Sequence, residues 1–162
     1  MSKDISYCGA GVLPFCYDEK HGKLFLLCRE TRIDNLTNEI QRDALNDLGG
    51  KREEYDTSAV YTAVREMMEE SSNLYQDRVP FILKQLHEGT YPKFSLKGNT
   101  YVLYMARVEY REPPPNSKLL WVTQADLLGI TTDWFDKLKL PIASRLIEVL
   151  VSPVNKQRIF TA

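Results

Sequence analysis

Gly49-Gly50-Lys51-Arg52-Glu53-Glu54-Tyr55-Asp56-Thr57-Ser58-Ala59-Val60-Tyr61-Thr62-Ala63-Val64-Arg65-Glu66-Met67-Met68-Glu69-Glu70-Ser71-Ser72-Asn73-Leu74 is the stretch that decides how this chain is read. A double glycine turn leads through a charged segment into Ala59, Ala63 and Met67, spaced by four, with Val60 and Val64 beside them. That stripe predicts an amphipathic helix from about residue 58 to 72. Asp56, Thr57 and Ser58 supply N-cap chemistry, and Ser72-Asn73 ends the helix, since asparagine tolerates the left-handed conformation that glycine usually provides.

The last turns carry Arg65, Glu66, Glu69 and Glu70. The three glutamates stand at i, i+3 and i+4, so they crowd one side of the helix, where like charges repel unless a cation sits among them. Oxygen-only, multiply anionic sites suit Mg²⁺ or Mn²⁺. Such an ion keeps sites open for substrate phosphates, neutralises their charge, orients an attacking water and lowers that water's pKa. The cluster therefore points to a diphosphate-handling site. Arg65 has a separate task, a bidentate pair with an acid on the facing loop, for which Asp56, Glu53 and Glu54 are available.

These residues resemble the signature box of the Nudix hydrolases, which cleave a nucleoside diphosphate, or a similar diphosphate, linked to another group. The box reads Gly, five residues, Glu, seven residues, then Arg-Glu-aliphatic-x-Glu-Glu-x-Gly-aliphatic. This chain offers Gly50, five residues, Asp56, eight residues, then Arg65-Glu66-Met67-Met68-Glu69-Glu70, with Ser72 at the second glycine position and Asn73-Leu74 after it. Outside the box, Ala10-Gly11-Val12-Leu13, Leu24–Arg29 and Leu120-Trp121-Val122 also resemble family segments, while Ser117-Lys118 replaces an acid that many relatives carry ahead of the tryptophan.

The resemblance implies an α/β chain: one Nudix-like domain over residues 1–162, an α/β/α sandwich with a mixed central sheet, the box helix on one face and a Pro141–Val151 helix on the other. It implies that Glu66, Glu69 and Glu70, with the Gly49 carbonyl, hold Mg²⁺ or Mn²⁺. Glu70 is then the carboxylate that activates water, Glu69 and Arg65 belong to the catalytic set, and Lys51 stabilises phosphate charge. Arg29 and Lys51 are the substrate-binding candidates, with Arg32 and Arg42 near the same cleft. The partner is a small-molecule diphosphate: a nucleotide, a dinucleoside polyphosphate or an inositol pyrophosphate. Nucleic acid enters only as a capped or terminal diphosphate substrate. Two other classes stay open. A non-catalytic Nudix-like nucleotide-binding module would be marked by loss of the box glutamates, and a purely structural domain by the absence of metal-dependent stabilisation.

Along the rest of the chain, Tyr7–Tyr17 reads as a buried strand pair or bent strand and Leu24–Cys28 as a buried strand. Residues 30–47 read as a long polar connection. Val79–Leu86 and Thr100–Val108 read as strands, Leu119–Val122 as a short strand and Gln124–Leu128 as a helical turn. Pro141–Val151 reads as a helix with Pro141 in its first turn and Pro153 as its stop. His21 and His87 lack ligand-like company, and Trp121 and Trp134 read as core or groove aromatics.

At 162 residues the chain fits one domain. Its net charge of −1 supplies no positive field for nonspecific nucleic-acid binding. No apolar run approaches the roughly 20 residues of a membrane span, and Met-Ser-Lys-Asp lacks a signal-peptide profile, so a cytoplasmic location is expected. Cys8, Cys16 and Cys28 are odd in number and read as reduced core thiols. Oligomeric state is not legible.

Overall fold

Strand β1 (Gly9–Asp18) feeds both layers of the molecule by simple alternation. Ala10 and Val12 bury on one face of the sheet, Leu13 and Phe15 on the other. The parity repeats in β2 (Gly22–Ile33), where Leu26 and Cys28 oppose Phe25 and Leu27. It repeats again in β6 (Tyr101–Arg107), where Tyr104 and Ala106 oppose Leu103 and Met105. Strands apolar on both faces need cover on both, and helices supply it. The computed structural model describes residues 7–33, 37–38, 40–128 and 143–162, without the side chains of residues 32, 33, 41–43, 128 and 144.

Helices α1 (Ala59–Glu70) and α2 (Val79–Glu88) cover the first face through Val60, Ala63, Val64, Met67, Ile82 and Leu86. Helices α4 (Ser144–Val151) and α5 (Pro153–Thr161) cover the second through Leu146, Val149, Leu150 and Ile159. The short α3 (Gln124–Leu128) follows β7 (Leu119–Thr123) and buries Leu127 on that second side. The expected α/β/α sandwich is present.

The sheet is mixed and runs β3-β2-β1-β6-β5, with β3 spanning Ile40–Asn46 and β5 Lys93–Leu96. Only β1 and β6 run parallel among these pairs; the others are antiparallel. One irregularity positions the site. β1 pairs with β2 only over Phe15–Asp18, and over Gly9–Val12 the same edge pairs instead with β4 (Leu48–Lys51). Beyond Cys28, β2 pairs with β3. The sheet thus forks, and the chain crosses the fork at Asp47, between the end of β3 and the start of β4.

Several expectations change. Val79–Leu86 is helix, not strand: Ile82 and Leu86 bury at i and i+4, Pro80 occupies the first turn, and Gly89 closes the helix at φ 65°. Residues 30–47 are not a structureless connection, because their described part is mostly the paired ends of β2 and β3. Gly49 and Gly50 lie in strand β4 rather than in a turn. Cys8 is exposed, while Cys16 and Cys28 are core thiols, and all three are free. Pro153 both follows one helix and starts the next, with the Ser152 hydroxyl accepting the Asn155 N–H at 3.3 Å. Pro141 and Trp134 lie outside the described residues.

Candidate active site

Helix α1 begins where the Ser58 hydroxyl accepts the Tyr61 N–H at 3.4 Å. It ends at Ser72 and Asn73, both left-handed, where the Asn73 N–H reaches back to the Met68 carbonyl at 2.8 Å. Met67, fully buried against the sheet, sets the helix's rotation, which leaves Glu66 and Glu70 half-buried beside it and Glu69 exposed.

Arg65 organises the cluster. Its Nε donates to Asp56 Oδ1 at 3.0 Å and Nη2 to Asp56 Oδ2 at 2.8 Å; Nη2 also donates to the Lys51 carbonyl at 2.9 Å. Nη1 donates to Glu66 at 3.0 Å and Glu69 at 2.8 Å. Every guanidinium N–H is committed. Of the three acids open as partners, the loop supplies Asp56, which is buried and also accepts the Glu53 N–H at 2.8 Å. The hydrogen bonds from Arg65 hold its carboxyl down at about 2.

The three glutamates do not share one partner: Glu66 and Glu69 meet at Arg65 Nη1, and Glu70 turns to Cys28. Glu69 is exposed and turned to Arg65, because the i,i+4 attraction outweighs crowding with its neighbours. Glu66 is half-buried and lies on Gly50, where an added Cβ would stand 2.5 Å from its carboxyl carbon. Glu70 accepts the Cys28 thiol at 3.4 Å. Burial raises the pKa of both Glu66 and Glu70, and neighbouring carboxylates add to it. Burial, with Glu70 beside it, pushes the Cys28 thiol up to about 12. Among the described residues no three His, Cys, Asp or Glu side chains form a ready-made metal cage.

The donor chemistry still suits a hard divalent cation. Glu66 and Glu70 are oxygen donors one turn apart and partly desolvated, and Mg²⁺ is held by one or two carboxylates plus water and substrate oxygens.

The remaining candidates spread out. Gly49 is buried opposite Gly11. Lys51 ends β4 with its side chain exposed. Arg29 donates to the Ser117 carbonyl at 3.1 Å and lines a cavity of about 370 Å³ with Tyr110, Glu112 and Trp121. The side chains of Arg32 and Arg42 lie outside those described. Trp121 is half-buried, its indole N–H on the Arg111 carbonyl at 2.9 Å. His21 pairs with Asp18, and His87 stands against Tyr61. A separate cavity of about 610 Å³, lined by Tyr17, Phe81, Arg107 and Tyr110 among others, includes none of the box residues.

The fork also gathers residues that sequence reasoning passed over. Glu30 accepts the Asn46 amide at 2.7 Å. Asp47, buried, accepts the Tyr101 hydroxyl on Oδ2 and Arg145 Nε on Oδ1, each at 2.6 Å. Cys28 touches Glu70. No local pattern marks these residues, since their partners lie far away in the chain.

No family profile and no curated protein sequence matches this chain. Solved structures do. A Nudix hydrolase from M. smegmatis aligns over 96% of this chain and 86% of its own at 15% identity, with a TM-score of 0.51. A mutT/nudix family protein from Listeria innocua aligns over 94% of this chain and 96% of its own at 16% identity, with a TM-score of 0.50. The class is thereby defined by architecture: the chain carries the Nudix fold. No helix among the described residues is long and apolar enough to cross a membrane.

Proposed function

We propose that this protein is a Mg²⁺- or Mn²⁺-dependent hydrolase that cleaves the diphosphate linkage of a nucleoside diphosphate derivative or a related compound. One observation carries the reading: on a Nudix fold, the box helix brings Glu66 and Glu70, half-buried and one turn apart, to the fork of the sheet, with Arg65 locked to Asp56 beside them.

In this reading Glu66 and Glu70 hold the cation, joined by Glu69 once it leaves Arg65 and by the Gly49 carbonyl. The ion supplies charge neutralisation at phosphate and a lowered pKa for the attacking water. Glu70 takes the proton of that water as it attacks phosphorus, a role favoured by a carboxylate whose pKa is already raised. Arg65 fixes the pitch of the helix against the Lys51–Asp56 loop. Lys51 and Arg29 meet phosphate oxygens; the bond from the attacked phosphorus to the bridging oxygen breaks, and the leaving phosphate keeps that oxygen and its charge, matched by these cations.

The test is phosphate release from a panel of diphosphates, covering nucleotide sugars, dinucleoside polyphosphates, inositol pyrophosphates and capped RNA, while Mg²⁺ is titrated. Turnover that needs the metal and disappears in Glu69→Gln and Glu70→Gln, both still folded, supports the assignment. Undiminished turnover with both residues changed overturns it. Tight binding of a panel member with no turnover by the unaltered chain reassigns the protein to a nucleotide-binding module.

A further inference from the structure

The sheet fork encloses a polar unit that the diphosphate chemistry above does not use. Asp47 crosses from β3 to β4 with its carboxylate sealed from water. Tyr101 from β6 donates to one of its oxygens and Arg145 from α4 to the other, each at 2.6 Å. Room for this contact comes from Gly11 and Gly49, which face each other across β1 and β4; a Cβ on Gly49 would stand 2.7 Å from Asp47 Oδ2. The Arg145 guanidinium lies over the Tyr101 ring, 4.4 Å from its centroid. Two contacts thus fix a cation whose side chain is only 11% exposed.

That cation is incompletely satisfied. Nη2 of Arg145 is shut off from solvent and has no acceptor among the described residues. A buried charged donor without an acceptor is strongly unfavourable, and proteins seldom keep one without use. Neighbours show what use is at hand. Asp47, which holds Arg145, leads directly into β4, where Gly50 lies against the Glu66 carboxyl, and Glu70 feels the charge of Arg145. Of the other cations there, Arg65 has no free N–H, Arg29 spends one N–H on the Ser117 carbonyl, and Lys51 and Lys118, the latter also acting on Glu70, are exposed and, among the described residues, held by nothing like the Asp47–Tyr101 pair.

We propose that Arg145 is a substrate-binding residue, held by Asp47 and Tyr101 so that the Nη edge of its guanidinium takes a phosphate oxygen of the diphosphate. This rests on the hydrolase reading given above. The arriving oxygen supplies the acceptor that Nη2 lacks, and the planar fork suits a phosphate better than an ammonium does. Helix α4, on the opposite face from the box helix, then contributes directly to the site. Asp47 and Tyr101 act as positioning residues for Arg145.

The test uses the full chain and two probes, Mn²⁺ alone and imidodiphosphate with Mg²⁺, a diphosphate analogue that water does not cleave. Arg145→Lys keeps a charge for Asp47 but has no second planar edge. It is expected to bind imidodiphosphate about tenfold more weakly or worse, the scale of one charged hydrogen bond, with Mn²⁺ affinity and thermal midpoint little changed. Arg145→Gln alone strands Asp47 and risks misfolding, so it is paired with Asp47→Asn to give a neutral, hydrogen-bonded pair. The double variant, restored in thermal midpoint but still weak for imidodiphosphate, supports the inference. Recovery of both, or Arg145→Lys binding the analogue as the unaltered chain does, overturns it while leaving the hydrolase reading in place. An unaltered chain that binds no Mn²⁺ and hydrolyses no diphosphate overturns both.

Discussion

Arg65 and Asp56 meet edge to edge, Nε on Oδ1 at 3.0 Å and Nη2 on Oδ2 at 2.8 Å, and this pair ties the box helix to the loop before it. Because the pair lowers the Asp56 pKa to about 2 from an ordinary carboxylate value, folding favours the deprotonated form. The stabilisation is fully present above the unfolded pKa and is lost as pH falls through the folded value. It amounts to about 2 kcal/mol, given roughly 1.4 kcal/mol per unit of pKa difference. Asp56→Asn leaves Arg65 without its main partner and is expected to lower stability at neutral pH by about 3 kcal/mol. Urea unfolding of both proteins between pH 7 and pH 3 checks this: the gap between them should narrow as pH falls. Equal midpoints at neutral pH would show that the pair does not hold the helix.

Gly50 is a glycine because of Glu66, not because of its backbone. It is absent from the positive-φ positions, so alanine fits the strand, yet the new Cβ would press on the Glu66 carboxyl at 2.5 Å. A flexible side chain yields more easily than a strand. Gly50→Ala is therefore expected to shift the thermal midpoint by only a few degrees while displacing Glu66 and weakening Mn²⁺ affinity about tenfold. Calorimetric titration of Mn²⁺ against both proteins separates the two effects, and unchanged affinity would remove Glu66 from the metal set.

What the sequence made legible was local. The stripe ending at Met67, the Ser58 cap and the Arg65-Glu66-x-x-Glu69-Glu70 string lie within one helix, and periodicity reports them directly. Helix α2 was legible in principle through Val79, Ile82 and Leu86, with Pro80 ahead and Gly89 behind, but so short an apolar run also fits a strand. Strand β5 spans four residues, too few for alternation to register. The unit of Asp47, Tyr101 and Arg145 joins positions 54 and 98 residues apart, a meeting decided by how the sheet forks and where α4 packs. No window of sequence contains it.

The three thiols should differ sharply in reactivity. Cys8 is exposed, whereas Cys16 and Cys28 are buried and their pKa values are pushed up to about 11 and about 12. The thiolate is the reactive form, so at neutral pH only Cys8 should be alkylated in the native protein. One modification by intact mass, rising to three in denaturant and falling to none in native Cys8→Ser, is the expected pattern. Rapid native modification at Cys28 would mean that the contact with Glu70 opens readily.

Glu70 shows what the site costs the fold. Its carboxylate is half-buried with a raised pKa, mainly from burial, so the charged form weakens the folded state at neutral pH. Glu70→Gln removes that charge while keeping an acceptor for the Cys28 thiol at 3.4 Å. In metal-free buffer the variant is expected to be more stable by about 1 kcal/mol, or a rise of roughly 2–4 °C in a chain of this size. Divalent cation reverses the order. At a hundred times its dissociation constant, Mn²⁺ should stabilise the unaltered protein by about 2.7 kcal/mol and the variant by far less. Melting curves with and without Mn²⁺ read both effects, and the crossing of the two proteins is the informative result. A Glu70→Gln protein that gains as much from Mn²⁺ as the unaltered chain would move the cation away from Glu70 and leave the raised pKa as a packing effect alone.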